Sequence, residues 1–320
     1  LMTANQNSIR RIKPVVVPHN RKPNAHMFFT RLFSSIFIWS ATNPVNNEKL
    51  SLSVTCNPGK LDVTPVPTSE PAHKFFIAVP SMIEDREKRD AIRNSWAKDA
   101  QKAKIPLYFY IGKSNCNQVN SEIQKEAATH GDIKLTPFED LWNNKVRKLF
   151  LAMQDAVNGD GSSHYFAFIE DGTYVHVDAL LKYLNEHGTP KMYGGRIVTN
   201  NGPVREPLSI YYISPQSLPE DRFPPYAESV GFFMGRDTAI ALLSQQNQRL
   251  MLHIDDVTVG CWLDRMAKEN RFKPDYVNVG HDGIGKDGKL MVTGLNPKAM
   301  VQYHQDHEDY RSIDSIKPEH

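Results

Sequence analysis

From Lys74 onward, short apolar runs of strand length alternate with longer segments of helical periodicity, and that alternation leaves few folds open. It predicts an α/β domain with a mostly parallel central sheet flanked by helices. Phe75 to Val79 reads as a buried strand, Arg86 to Ala97 as a helix, and Pro106 to Ile111 as a second strand stopped by Gly112. A further helix is expected over Ser121 to Thr129. Between Asn144 and Val157, the residues Val146, Leu149, Phe150, Met153 and Val157 fall on one helical face, and Asn158-Gly159 ends the pattern. His164 to Ile169 is the strongest strand run in the chain, and it passes directly into Glu170-Asp171-Gly172. Open α/β sheets bind ligands beyond the carboxyl ends of their strands, so this location favours a functional reading of the two acids.

Upstream of Lys74 the texture differs. Residues 1–26 are polar and basic, with Arg10, Arg11, Lys13, Arg21 and Lys22, and read as a disordered tail. Residues 27–40 are apolar and aromatic but interrupted by Arg31, and they fall short of the roughly 20 residues that a spanning helix needs. The basic tail before them suits a signal anchor whose C-terminal side enters a lumen, while an ordinary buried or interfacial segment fits equally. Residues 41–73 are rich in Pro, Thr, Ser and Asn and read as an extended stem. The catalytic domain is expected over 74–310, followed by a short tail over 311–320.

Composition narrows the function classes. With 40% hydrophobic residues among 320, the chain buries a substantial core. Its net charge of +2 offers no field that would gather nucleic acid. The three cysteines, Cys56, Cys116 and Cys261, include no CxxC pair, which argues against a zinc site and allows one disulfide at most. There is no phosphate loop and no Gly-x-Ser-x-Gly elbow.

Three segments carry candidate chemistry. In Arg86-Glu-Lys-Arg89-Asp-Ala-Ile-Arg93-Asn-Ser-Trp96 the arginines recur at helical spacing, and a guanidinium fork suits a diphosphate. The same pattern also describes a solvated basic face with Trp96 in the core. The acids Glu170 and Asp171 could hold a divalent cation or ribose hydroxyls, or they could belong to a turn that caps the next helix. In His253-Ile-Asp255-Asp256-Val-Thr-Val-Gly260, two carboxylates open an apolar helix, where the helix dipole alone would favour them.

Taken in order, these segments resemble the β-1,3-galactosyltransferase superfamily (glycosyltransferase family 31), which also includes β-1,3-N-acetylglucosaminyltransferases and fringe-related enzymes. The resemblance runs from about Lys74 to Tyr303. Arg89-Asp-Ala-Ile-Arg93-Asn-Ser-Trp96 is similar to the family's arginines before Ile-Arg-x-Thr-Trp. Gly131-Asp132-Ile133 and Phe138-Glu-Asp140 resemble its Gly-Asp-Ile and Phe-x-Asp stretch, and Lys148 stands at its helical lysine. Phe168-Ile-Glu170-Asp171-Gly172-Thr-Tyr-Val175 stands at the Asp-Asp-Asp-Val-Phe-Val motif, Phe223-Pro-Pro-Tyr226 at Tyr-Pro-Pro-Tyr, and Asp255-Asp256-Val257 at Glu-Asp-Val.

The resemblance implies a GT-A-like nucleotide-sugar-binding fold and an inverting hexosyltransferase. Such an enzyme moves galactose or N-acetylglucosamine from a UDP-sugar to a glycan hydroxyl, forming a β-1,3 linkage in protein glycosylation. It further implies a Golgi membrane protein of type II topology with a luminal catalytic domain. Asp256 is then the catalytic base, Asp255 the second or acceptor-side acid, and Arg89, Arg93, Lys148, Glu170 and Asp171 the donor-binding set. Family members hold a manganese ion (Mn2+) through the last aspartate of the triad and a histidine near the C-terminus. Here Gly172 and Thr293 stand at those positions, leaving Asp171 as the candidate metal ligand and His281, His304 and His307 as alternatives. Ala227 stands at a family cysteine, which removes a family disulfide. The substitutions motivate a second expectation, a weak or inactive relative that binds a glycan, a nucleotide or a partner glycosyltransferase.

Overall fold

The computed structural model describes residues 74–159, 163–279 and 290–314. The expected tail, anchor and stem over 1–73 lie outside the described residues, as do His281 and most of the 311–320 segment. Among the described residues no helix is long and apolar enough to cross a membrane.

Seven strands form one sheet in the order β3-β2-β1-β4-β7-β6-β8. Strands β1 (Lys74–Pro80), β2 (Leu107–Lys113), β3 (Ile133–Glu139) and β4 (Ser163–Ile169) run parallel to one another. Strand β7 (Tyr226–Gly235) is antiparallel to both β4 and β6 (Met192–Val198), and β8 (Asp275–Asn278) pairs in parallel with β6. A separate two-stranded ribbon joins β5 (Tyr174–Val175) to β9 (Met291–Val292). The helices are α1 (Arg86–Arg93), α2 (Ala97–Lys102), α3 (Asn117–His130), α4 (Lys145–Asn158), α5 (Val177–His187), α6 (Arg236–Leu243), α7 (Asp255–Lys268) and α8 (Pro297–Asp314). The α/β architecture with a mostly parallel sheet is therefore as the alternation predicted.

Strand alternation divides the core into two layers. Phe75, Ile77 and Val79 of β1 and Tyr165, Ala167 and Ile169 of β4 face one layer with Ile92, Trp96 and Leu180. Phe76 and Ala78, with Phe166 and Phe168, face the other, where α4 supplies Val146, Leu149, Phe150 and Met153. Each fully buried side chain of this size contributes roughly 1.5–3 kcal/mol. A sheet covered on both faces must expose its chemistry at its edges, and the carboxyl ends of β1 and β4 are such an edge.

Three sequence expectations change. The helix expected over 86–97 breaks after Arg93, and Asn94 to Trp96 form a turn before α2. All three arginines remain on α1, and only Trp96 falls outside that helix. Helix α8 continues to Asp314, beyond the 310 boundary placed from the sequence. Strands β3, β6 and β8, unread from the sequence, complete the sheet.

Candidate functional site

Four chain segments converge at the carboxyl edge: the Ser81–Ile83 loop after β1, Glu170–Asp171 after β4, Ser229 within β7, and the first turn of α7. The seating of α7 on β7 depends on a glycine. A Cβ at Gly260 would lie 2.7 Å from Tyr226 Cβ and 2.8 Å from the Pro225 carbonyl, so only hydrogen allows the helix this close to the Pro-Pro-Tyr turn. That approach brings Asp255 and Asp256 to Ser229.

The basic residues build this edge from behind. Arg89 is fully buried; its Nε and Nη2 donate to Glu126 at 2.9 and 2.8 Å, and its Nη1 and Nη2 donate to the Met82 and Ile83 carbonyls at 2.6 and 3.2 Å. Nη1 also donates to Ser81 Oγ at 3.2 Å. Arg93 grips Asp132 through Nε and Nη2, both at 2.8 Å, and shares Glu126 and Asp90 through Nη1. Lys148 Nζ donates to the Ser81 carbonyl at 2.8 Å and to Asp140 at 2.6 Å. Burial lowers the Lys148 pKa, and the adjacent Asp140 opposes that shift. Arg89, Arg93 and Lys148, the residues expected to contact the donor phosphates, here direct their donors to Glu126, Asp132 and Asp140. Arg89 and Lys148 also hold the Ser81–Ile83 loop, whereas Arg93 ties α1 to Glu126 and Asp132. Lys88 is a half-exposed cation at this edge, 3.2 Å from Asp171 and 3.1 Å from Asp85. Asp171 also accepts from Ser81 Oγ at 3.3 Å, and its burial raises its pKa against the pull of Lys88.

The carboxylates gather separately. Lys145, the first residue of α4, donates to both Glu170 and Ser229 Oγ, and lies 3.7 Å from Asp255. Ser229 Oγ is 3.2 Å from Asp255 Oδ2, and the Ser229 backbone N–H donates to Asp256 at 3.0 Å. Asp256 also accepts from the Val257 N–H at 2.7 Å. Burial, and after it the charge of Asp255, pushes the Asp256 pKa up to about 7, while the two N–H donors and Lys145 restrain the rise. Asp255 is raised as well, chiefly by burial. Two acids that repel in this way titrate as a pair.

Lys145 and Ser229 are site residues that the sequence reading missed. A local signal existed for the lysine: an ammonium at a helix N-terminus opposes the dipole and calls for a nearby anion.

A half-exposed aromatic lip flanks the cluster. Trp142, just before α4, meets Tyr211 edge-on at 5.3 Å and lies 5.9 Å from His253, two residues before Asp255. On the far side of Asp140 a cleft of about 610 Å³ opens at the ends of β2 and β3, lined by Ile83, Lys113, Ser114, Glu139, Asp140 and Leu141 among others.

Among the described residues, the expected metal positions do not assemble a divalent-cation site. Gly172 supplies no side chain, although a Cβ there would meet only the Leu295 carbonyl at 3.7 Å. Thr293 follows β9, whose ribbon with β5 is continued by the Leu295 N–H donating to the Gly172 carbonyl at 3.0 Å. His304 is buried behind that ribbon, with its Nδ1 2.9 Å from the Tyr174 hydroxyl, and His307 packs against His176. Among the described residues no group of three or more His, Cys, Asp or Glu is arranged to hold a metal. Cys116 and Cys261 are free thiols.

The Galactosyltransferase family profile matches residues 87–271, more than half of the chain. The chain belongs to the galactosyltransferase family. The match encloses Arg89, Lys145, Glu170, Ser229 and Asp256, while Thr293 lies beyond it. This galactosyltransferase-family chain is 29% identical over 251 residues to beta-1,3-galactosyltransferase GALT1 of Arabidopsis thaliana, covering 75% of this chain and 39% of that one. It is 27% identical to human N-acetyllactosaminide beta-1,3-N-acetylglucosaminyltransferase 3, covering 78% and 67%, and 24% identical to human beta-1,3-galactosyltransferase 5, covering 75% and 80%. The alignment thus spans well under half the length of the plant relative. Among solved structures, a glycosyltransferase involved in the glycosylation of the major capsid of PBCV-1 aligns at 11% identity over 73% of this chain and 99% of that one, with a TM-score of 0.33.

Proposed function

We propose that this chain is an inverting hexosyltransferase that moves galactose or N-acetylglucosamine from a UDP-sugar to a glycan hydroxyl, forming a β-1,3 linkage. The observation that carries this reading is Asp256. It is a buried carboxylate at a helix N-terminus, held by two backbone N–H groups, and its pKa of about 7 is matched to proton abstraction near neutrality. The acceptor oxygen attacks the anomeric carbon as its proton passes to Asp256. The bond from that carbon to the diphosphate oxygen breaks on the opposite face, so UDP leaves and the anomeric configuration inverts.

Family membership supports the donor class, and the cleft beside Asp140 has the volume of a small-molecule site. Lys88, which bridges Asp85 and Asp171 at the edge, is the cation best exposed to a diphosphate. The Trp142, Tyr211 and His253 lip offers aromatic surface beside the base for an acceptor sugar. A luminal Golgi setting, with type II anchoring through residues 27–40, agrees with the basic stretch that precedes them.

The experiment is turnover: UDP release from UDP-galactose or UDP-N-acetylglucosamine over a panel of glycan acceptors, with and without Mn2+. Release that depends on Asp256 supports the reading. Gly172 and Thr293 favour a second reading, a relative that binds nucleotide or glycan without transfer; UDP binding with no turnover on any acceptor would select it.

A further inference from the structure

Lys145 occupies a position that penalises an ammonium twice. It opens α4, where the helix dipole is positive and the first turn holds no acid, and its side chain is only 14% exposed. Nothing in its own first turn offsets the cost, and Lys148 one turn later is a second cation, itself paired with Asp140. The compensation comes from two other elements. Glu170 at the end of β4 accepts a hydrogen bond from Lys145, Asp255 of α7 lies 3.7 Å away, and Asp256 adds its charge beside Asp255. Burial by itself would lower the lysine pKa, but Asp255 and Glu170 outweigh it and hold the ammonium above its ordinary range.

Glu170 stands two residues before Gly172, a position where the family resemblance implies a metal ligand. Gly172 and Thr293 bring no ligand there, and the cationic charge beside Glu170 and Asp255 is supplied by the chain itself. We propose that the Lys145 ammonium is the resident cation of the Glu170, Asp255 and Asp256 cluster, taking the electrostatic place of a divalent metal, so that the chain binds UDP without one. The UDP part rests on the donor class proposed above; the cation part stands on the geometry alone. A fixed ammonium neutralises one charge and brings no exchangeable coordination site, so chelation has nothing to remove.

The test uses the full chain stripped with EDTA. Mn2+ is titrated into the protein alone and followed by the electron paramagnetic resonance of free Mn2+, and UDP affinity is measured by calorimetry in EDTA and in Mn2+. We expect no stoichiometric Mn2+ uptake by the native chain and UDP affinities that agree within about twofold. Lys145→Met keeps an unbranched side chain, one atom shorter, and removes its charge. That variant should either take up one Mn2+ among the unneutralised acids or lose UDP affinity by about tenfold or more. Uptake of one Mn2+ by the native chain, or tenfold weaker UDP binding on chelation, overturns the proposal, as does a folded Lys145→Met chain that matches the native one in both assays. Should Lys145→Met fail to fold by circular dichroism, Lys145→Arg, which keeps the charge, must remain insensitive to chelation. If the native chain binds no UDP at all, the UDP-sugar reading fails, and the Mn2+ titration of the protein alone still decides whether the cluster already holds its cation.

Discussion

The backbone N–H of Ser229 donates to the Asp256 carboxylate at 3.0 Å, tying the middle of β7 to the first turn of α7. Together with the Val257 N–H on the other oxygen, the bond orients the carboxylate at the carboxyl edge of the sheet. It also opposes the burial that pushes this acid up to about 7. Replacing Asp256 by Asn removes the proton acceptor while keeping the volume. Turnover should fall by about 10²–10⁴-fold, with UDP affinity largely retained. Because the carboxyl is protonated below its raised pKa, kcat/KM of the native chain should fall as pH drops through about 7. Steady-state kinetics between pH 5 and 9 checks both statements, and a flat native profile would remove Asp256 as the base.

Glu126 gives the fold an acid-sensitive clamp. Burial alone would raise its pKa, but hydrogen bonds from Arg89 and Arg93 override burial and hold it at about 2, against 4.5 for an ordinary glutamate. A carboxyl that is harder to protonate when folded stabilises the native state above the unfolded value, and that contribution is lost as pH falls from about 4.5 toward 2. Glu126→Gln leaves the buried Arg89 guanidinium without its counter-charge and should cost about 3–5 kcal/mol at pH 7. The gap from the native chain should narrow at pH 3. Urea denaturation at the two pH values measures the difference, and an equal gap at both would contradict the clamp.

The fold was legible wherever local pattern and tertiary role agree. The β1 and β4 runs are apolar because both sheet faces are covered, and the α4 stripe of Val146, Leu149, Phe150 and Met153 is the face that packs on them. Strands β3 and β8 escaped because they lie at the two sheet edges, where even apolar residues such as Leu135 and Tyr276 are exposed and Pro137 interrupts β3. At the site the acids stood out as motifs. The use made of the arginines did not, because Glu126 and Asp132 reach them from distant positions in the chain. Ser229 likewise acquires its role only when β7 and α7 meet.

That meeting depends on Gly260. A methyl group at this position would stand 2.7 Å from Tyr226 Cβ and 2.8 Å from the Pro225 carbonyl, neither of which is the far end of a flexible side chain. Gly260→Ala should therefore lift the start of α7 from β7, costing about 1–3 kcal/mol as an overpacked contact. Turnover should fall beyond what the lower stability explains, since Asp256 loses its register with Ser229. Thermal denaturation and kcat at a temperature where the variant is fully folded separate the two effects. A stable variant with native kcat would show that this contact does not position the base.

Gly172 is the opposite case, a glycine with space around it. A Cβ there meets only the Leu295 carbonyl at 3.7 Å, an ordinary contact, and the position does not adopt the left-handed backbone that would penalise a side chain. Gly172→Asp should accordingly fold with a melting temperature within a few degrees of the native chain. The added carboxylate joins an edge already holding Asp171 and Glu170, so with Lys145 still present it should create at most weak Mn2+ affinity. The double variant Gly172→Asp, Lys145→Met combines a new oxygen ligand with the loss of the internal ammonium, and it should bind Mn2+ more tightly than either single variant. Titration of the three variants under identical buffer gives the coupling between the two positions. Purely additive affinities would mean that the lysine and the glycine report on separate sites, whereas a double variant exceeding the sum would place them in one electrostatic unit.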